Sequence, residues 1–176
     1  MRTINTIALH HSVTPADWSV DKTVKAIERE HLKFKAQGQV TSVSYNIAYH
    51  TLIFPDGTVK QTRALSDIGF HAGNWPVNQV SIGVCLIGNY ENDQPTAKMG
   101  SALKTLLESL INQYNIPKSN IKLHKEVRLL PTACPGKNIN HAYIDSLLIH
   151  KPTMADRLAR RLRILSLRKQ PTKCNL

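Results

Sequence analysis

Residues 80–88, VSIGVCLIG, form nine consecutive positions without a charged side chain. A strand that apolar cannot leave one face in water, so it predicts a central strand of a sheet covered on both sides. The covering material is legible nearby. From Thr96 to Tyr114, Met99, Leu103, Leu106, Leu107, Leu110 and Ile111 recur at helical spacing, and Asn115 and Pro117 end the run. Lys22–Ala36 places Val24, Ile27, His31 and Phe34 on one helical face, with Gly38 as its stop. TIALHHS (6–12) reads as a short buried strand closed by the turn signal VTPAD. SYNIAYHTLIF, PDG and TVKQTR read as a β-hairpin turning at Pro55–Gly57. IKLH adds a strand and HAYIDSLLI a short helix. Strands interleaved with helices over 176 residues, 41% of them hydrophobic, predict an α/β fold: one domain with a central mixed β-sheet flanked by helices.

Net charge is +11, but it is unevenly placed. Residues 151–176 hold eight Lys or Arg against one acid, Asp156, and so carry +7 of it. Pro152 can open a new helix, which divides the chain into a domain at 1–150 and a basic amphipathic C-terminal tail at 151–176. In that tail Met154, Leu158, Leu162 and Leu165 share one stripe, which either lies on an anionic membrane or packs on the domain. A cationic segment also binds phosphate non-specifically, but no aromatic interleaving or reader motif points to specific nucleic-acid recognition. Three scattered cysteines, Cys85, Cys134 and Cys174, make no disulfide framework and suit a reducing compartment. MRTINTIALHHS lacks a secretory pattern, so synthesis in the cytoplasm is expected, and no segment reaches the length of a membrane span.

Chemistry concentrates in LHKEVRLLPTACPG (123–136), where His124 and Cys134 lie close between prolines. Either His124 merely ends a strand and Cys134 fills a turn, or the two are zinc ligands, since thiolate and neutral imidazole suit that ion. A catalytic zinc site takes three protein ligands and keeps one position open, so a third is needed. His31 reads as a satisfied core residue, and His141 and His150 flank the late helix. His10 or His11, His50 and His71 are left. Strand alternation sends His10 and His11 to opposite faces, so only one can enter a given site. Cys85 reads as core packing.

The set LHHSVT (9–14), AYHTLIFPDGTV (48–59), GFHAGN (69–74), VSIGVCLIGNY (80–90) and LHKEV with PTACPG resembles the zinc-dependent type 2 N-acetylmuramoyl-L-alanine amidases. That family includes small phage lysozyme-type amidases and the peptidoglycan recognition proteins, and the resemblance runs from about residue 4 to 148. It implies Zn2+ held by His10, His124 and Cys134, and as substrate the amide joining N-acetylmuramic acid to L-alanine of peptidoglycan. It further implies Tyr49, placed seven residues before Asp56, beside the attacking water, with Tyr45 the alternative. Thr132 falls where family members carry Lys or Thr; it lacks the charge of Lys, which Lys125 or Lys137 would have to replace, yet still donates a hydrogen bond to an oxyanion. Glu126 is either a base or a surface carboxylate. His71 and Asn74 fall in the loop expected to line the peptide groove. RLLP lengthens the interval between His124 and Cys134 by about two residues, an insertion a loop bulge can absorb.

Three functions follow as expectations: a monomeric zinc amidase of the endolysin type acting on the cell wall, a non-catalytic peptidoglycan-binding module, or a carrier for a membrane-disrupting tail. In the family, loss of the cysteine ligand marks the non-catalytic branch. Cys134 is present here, which favours the enzyme.

Overall fold

A computed structural model describes residues 2–36 and 47–149, without the side chains of 33–36. Gly38, Tyr45, His150, the boundary at 150–153 and the basic tail lie outside the described residues, as does the Phe34 side chain. Element order is β1 (Thr6–His11), α1 (Val20–Ala36), β2 (Thr51–Ile53), β3 (Val59–Gln61), α2 (Trp75–Val80), β4 (Ser81–Leu86), α3 (Ala97–Tyr114), a 3-10 turn, β5 (Ile121–Leu123), α4 (His124–Val127) and α5 (His141–Leu148). The sheet order is β3-β2-β4-β1-β5. β2, β4, β1 and β5 run parallel, and β3 is an antiparallel edge.

β4 lies in the middle of this mixed sheet, and all six of its residues are buried, as its composition requires. Alternation splits the core in two. Ile7, Leu9, Ile82, Val84 and Leu86 face α3, against Met99, Leu103, Leu107 and Leu110. Each such fully buried side chain contributes about 2 kcal/mol of transfer free energy, so this layer dominates the core. Leu52, Cys85 and Ile87 face the other way, against Ile27 of α1. His10 pairs with Cys85 in register and therefore belongs to this second face; His11 turns to the first, where its Nδ1 accepts from Tyr90 N–H (3.2 Å).

The ends of α3 are set by its own residues. Thr96 Oγ1 accepts from Met99 N–H (3.1 Å), and Asn115 closes the helix in the left-handed region (φ 53°). The hairpin turns where expected. Gly57, at φ +91°, donates its N–H to Phe54 O, and the Asp56 carboxylate accepts from Thr58 N–H (2.8 Å). Its strands are shorter than the sequence suggests, three residues each. At residues 47 and 48 the backbone is satisfied elsewhere: Ala48 N–H goes to His31 Nδ1 (3.0 Å), Ala48 O takes Phe70 N–H, and Ile47 O takes the buried Arg63 guanidinium (2.8 Å).

His50 fastens β2 to β4. Its Nδ1 accepts from Gly83 N–H (2.9 Å), so the proton sits on Nε2, 3.0 Å from Asp67 O. Burial, partly offset by the Asp67 carbonyl, lowers its pKa to about 4. A folded pKa below the ordinary value of about 6.5 means the contribution is complete above 6.5 and is lost as pH falls through about 4. Metal-free protein should therefore lose about 3 kcal/mol of unfolding free energy across that window through His50. Denaturant melts at stepped pH should show a shallower loss in His50→Asn, whose Oδ1 can still accept from Gly83; an equal slope would discount His50.

Candidate metal centre

The centre lies at the carboxyl ends of β1 and β5, which pair in parallel and deliver His10 and His124 side by side. His10 is fully buried as the penultimate residue of β1. His124 follows β5 directly and opens α4, with its ring centroid 4.3 Å from that of His10. Cys134 arrives on the following loop, which is pinned back onto α4 by Lys125 N–H to Cys134 O (2.9 Å). Its Sγ stands 3.9 Å from His10 Nδ1 and accepts from His11 N–H (3.4 Å). Beyond it, Gly136 (φ +89°) packs on Tyr90 so closely that a Cβ would lie 2.4 Å from the Tyr90 backbone. One donor atom from each of His10, His124 and Cys134 falls within 4.8 Å of the others.

That donor set fits a zinc ion. Tetrahedral bonds of about 2.0–2.3 Å put ligand atoms roughly 3.3–3.8 Å apart, close to the 3.9 Å found. His124 gives the sharper test: both ring nitrogens are buried without a well-formed hydrogen bond, although the Ala72 carbonyl lies nearby. A buried polar atom left so is costly unless something absent from the chain engages it. Burial, reinforced by the neighbouring imidazoles, holds His10 well below its usual pKa; burial, reinforced by the Arg128 charge, lowers His124 to about 4. Both are thus neutral, as metal ligands must be. Burial pushes the Cys134 thiol up to about 11, a value that a bound cation would reverse.

Tyr49, in the loop before β2, packs tilted against the His10 ring of the cluster (5.0 Å between centroids) and edge-on against His31 (5.2 Å). Its phenol lies by Cys85, and burial first, then that thiol, raises its pKa well above the ordinary range, so it keeps its proton. On its α1 side opens a pocket of about 300 Å³, lined by Ser12, Trp18, Ile27, Glu30, His31 and Tyr49.

The remaining sequence candidates divide. Thr132 Oγ1 accepts from Cys134 N–H (3.2 Å), which orients the cysteine and leaves the hydroxyl proton for another acceptor. Lys137 is engaged with Glu91 (3.8 Å), away from the centre. Glu126 accepts from Leu123 N–H (2.7 Å) and pairs with His141 (2.8 Å), a fastening of α4 rather than a base aimed at the cluster. Asn74, expected in the groove, donates to Val127 O (2.9 Å) and ties its loop to α4. His71, expected there too, is only 6% exposed, with Nδ1 3.0 Å from His10 Nε2. Residues 128–131 bulge outward, with Leu129 76% and Leu130 66% exposed.

Sequence reasoning misses Asn78, whose Oδ1 accepts from both His71 N–H (3.1 Å) and Ala72 N–H (2.9 Å) and so shapes the His71 loop. It also misses Gly83, where a Cβ would meet the His71 ring at 2.4 Å. A lone glycine inside an otherwise bulky strand is the available signal.

A mixed α/β sheet carrying, among the described residues, a His/His/Cys cluster at the ends of its parallel strands defines a small α/β domain with a candidate metal site at that edge. The sequence profile of N-acetylmuramoyl-L-alanine amidase matches residues 1–137, and the chain belongs to that family. Peptidoglycan-recognition protein SC2 of Drosophila melanogaster is 36% identical over 94 residues, covering 53% of this chain and 50% of the relative. The chain thus spans about half the length of that curated relative. The endolysin of Enterobacteria phage K11 is 34% identical over 133 residues, covering 73% of this chain and 78% of the endolysin. Among solved structures, the N-acetylmuramoyl-L-alanine amidase LysC from Clostridium intestinale URNW superimposes with a TM-score of 0.65 at 29% identity, over 85% of this chain and 88% of that one.

Proposed function

We propose that this chain is a zinc-dependent N-acetylmuramoyl-L-alanine amidase of the endolysin type, cleaving the amide between N-acetylmuramic acid and L-alanine in peptidoglycan. The observation that carries this reading is the convergence of His10, His124 and Cys134, with neither buried His124 nitrogen in a well-formed hydrogen bond. These three residues would hold the ion. When bound, it supplies a more acidic water and a polarised carbonyl, which an unactivated amide requires. The protonated Tyr49 phenol donates to the oxygen that gains charge as the carbonyl is attacked, and the Thr132 hydroxyl adds a second donor from the Cys134 side. The pocket beside Tyr49 receives part of the glycopeptide. Zinc content together with stem-peptide release from purified sacculi tests the whole reading.

A second reading is a peptidoglycan-binding module without catalysis. It draws support from the recognition protein among the relatives and from Thr132 standing where a lysine would supply charge. Sacculus binding without release of peptide would select it.

The basic tail is proposed to hold the enzyme at anionic surfaces. Each arginine near such a surface contributes about 1 kcal/mol, screened by salt. A chain ending at His150 should digest purified peptidoglycan at the full rate yet lose salt-sensitive binding to anionic vesicles. Loss of hydrolysis would instead mean that the apolar stripe packs on the domain.

A further inference from the structure

His10 offers its two ring nitrogens to different partners: Nδ1 stands 3.9 Å from Cys134 Sγ, and Nε2 stands 3.0 Å from His71 Nδ1. Resting on the metal-centre reading, we infer that His71 is a positioning residue that fixes the tautomer and orientation of His10 through a histidine–histidine hydrogen bond. The direction of that bond follows from the donor chemistry. A ligand nitrogen must present its lone pair, so Nδ1 of His10 is bare and the ring proton sits on Nε2, which donates to His71. Nδ1 of His71 is then an acceptor, its proton sits on Nε2, and that atom faces Ser81 Oγ at 3.4 Å. The order His10, His71, Ser81 therefore admits one direction of donation.

The fold invests in holding that second ring. Its backbone N–H is taken by buried Asn78, and its face lies on bare strand at Gly83. At 6% exposure it presents no surface to a substrate groove. Ligating histidines commonly lean on a carboxylate or a backbone carbonyl; here a neutral imidazole fills that place, so the pair carries no countercharge.

The test uses the full chain and zinc alone. Affinity is measured by competition with a chromophoric chelator, and melting is followed with and without zinc. His71→Leu, which removes the acceptor, should weaken zinc binding by about 10–100-fold and shrink the zinc-dependent gain in Tm. His71→Asn, whose Oδ1 stands near the place of Nδ1, should recover most of that affinity. A merely structural His71 would lower both melts equally and leave affinity unmoved, and that result overturns the inference. Nitrogen-15 NMR of the zinc-loaded wild type needs no variant: protons on Nε2 of His10 and of His71 are expected, and a proton on Nδ1 of either ring overturns it. Wild-type protein that takes up no zinc overturns the metal reading itself, an outcome distinct from unchanged affinity in His71→Leu.

Discussion

Cys134→Ala should leave a folded protein that neither retains stoichiometric zinc nor hydrolyses peptidoglycan above roughly a thousandth of the wild-type rate. The fold survives because the loop is held by its backbone, through Lys125 N–H to Cys134 O and Cys134 N–H to Thr132 Oγ1, and neither bond uses the thiol. The variant forfeits the Sγ contacts to His11 N–H, His11 O and His10 Nδ1. Two imidazoles remain, one ligand short of a zinc hydrolase. Metal analysis beside circular dichroism decides it: a well-folded variant that still holds one zinc per chain would show that the cluster has been misassigned.

Tyr49→Phe is expected to lower turnover by roughly 10²–10³-fold with zinc occupancy unchanged. Phenylalanine keeps the ring that packs on His10 and His31 and deletes the phenolic O–H with its Cys85 contact, so a thermal melt beside turnover separates a lost oxyanion donor from a disturbed core. The defect should fall mainly on kcat, because that charge exists in the transition state and not in bound substrate. Full activity in Tyr49→Phe alongside inactivity in Tyr45→Phe would transfer the role to Tyr45.

Much of this architecture is legible in the residue order alone, because the strongest signals are local and long. The uncharged run at 80–88 is a central strand, the 96–114 periodicity is α3 with its cap at Thr96, and PDG is the hairpin turn. What escapes is short or non-local. α2 is six residues and α4 four, too few for periodicity to register. Of the first hairpin strand, the described residues 47–50 precede the ladder, which begins at Thr51, since side chains of His31 and Arg63 take the Ala48 and Ile47 backbone bonds that a ladder would otherwise claim. At the centre, residue chemistry alone yields the His124 and Cys134 pair and a choice of histidines; the family resemblance singles out His10, and the structure brings all three together. The family resemblance points His71 at substrate, and nothing local in the sequence reveals a partner 61 residues away, nor that Gly83 is bare to receive its ring.

The outward bulge at 128–131 has a practical meaning. Hydrogen bonds close the chain on both sides of it, Arg128 N–H to His124 O before and the Cys134 anchors after, so its tip is outside the frame that aims the metal donors. Lengthening a loop already closed at its base costs only tenths of a kcal/mol per added residue. The tip is thus a graft point: a targeting peptide or a reporter inserted between Leu129 and Leu130 would project outward while the donors behind it kept their places.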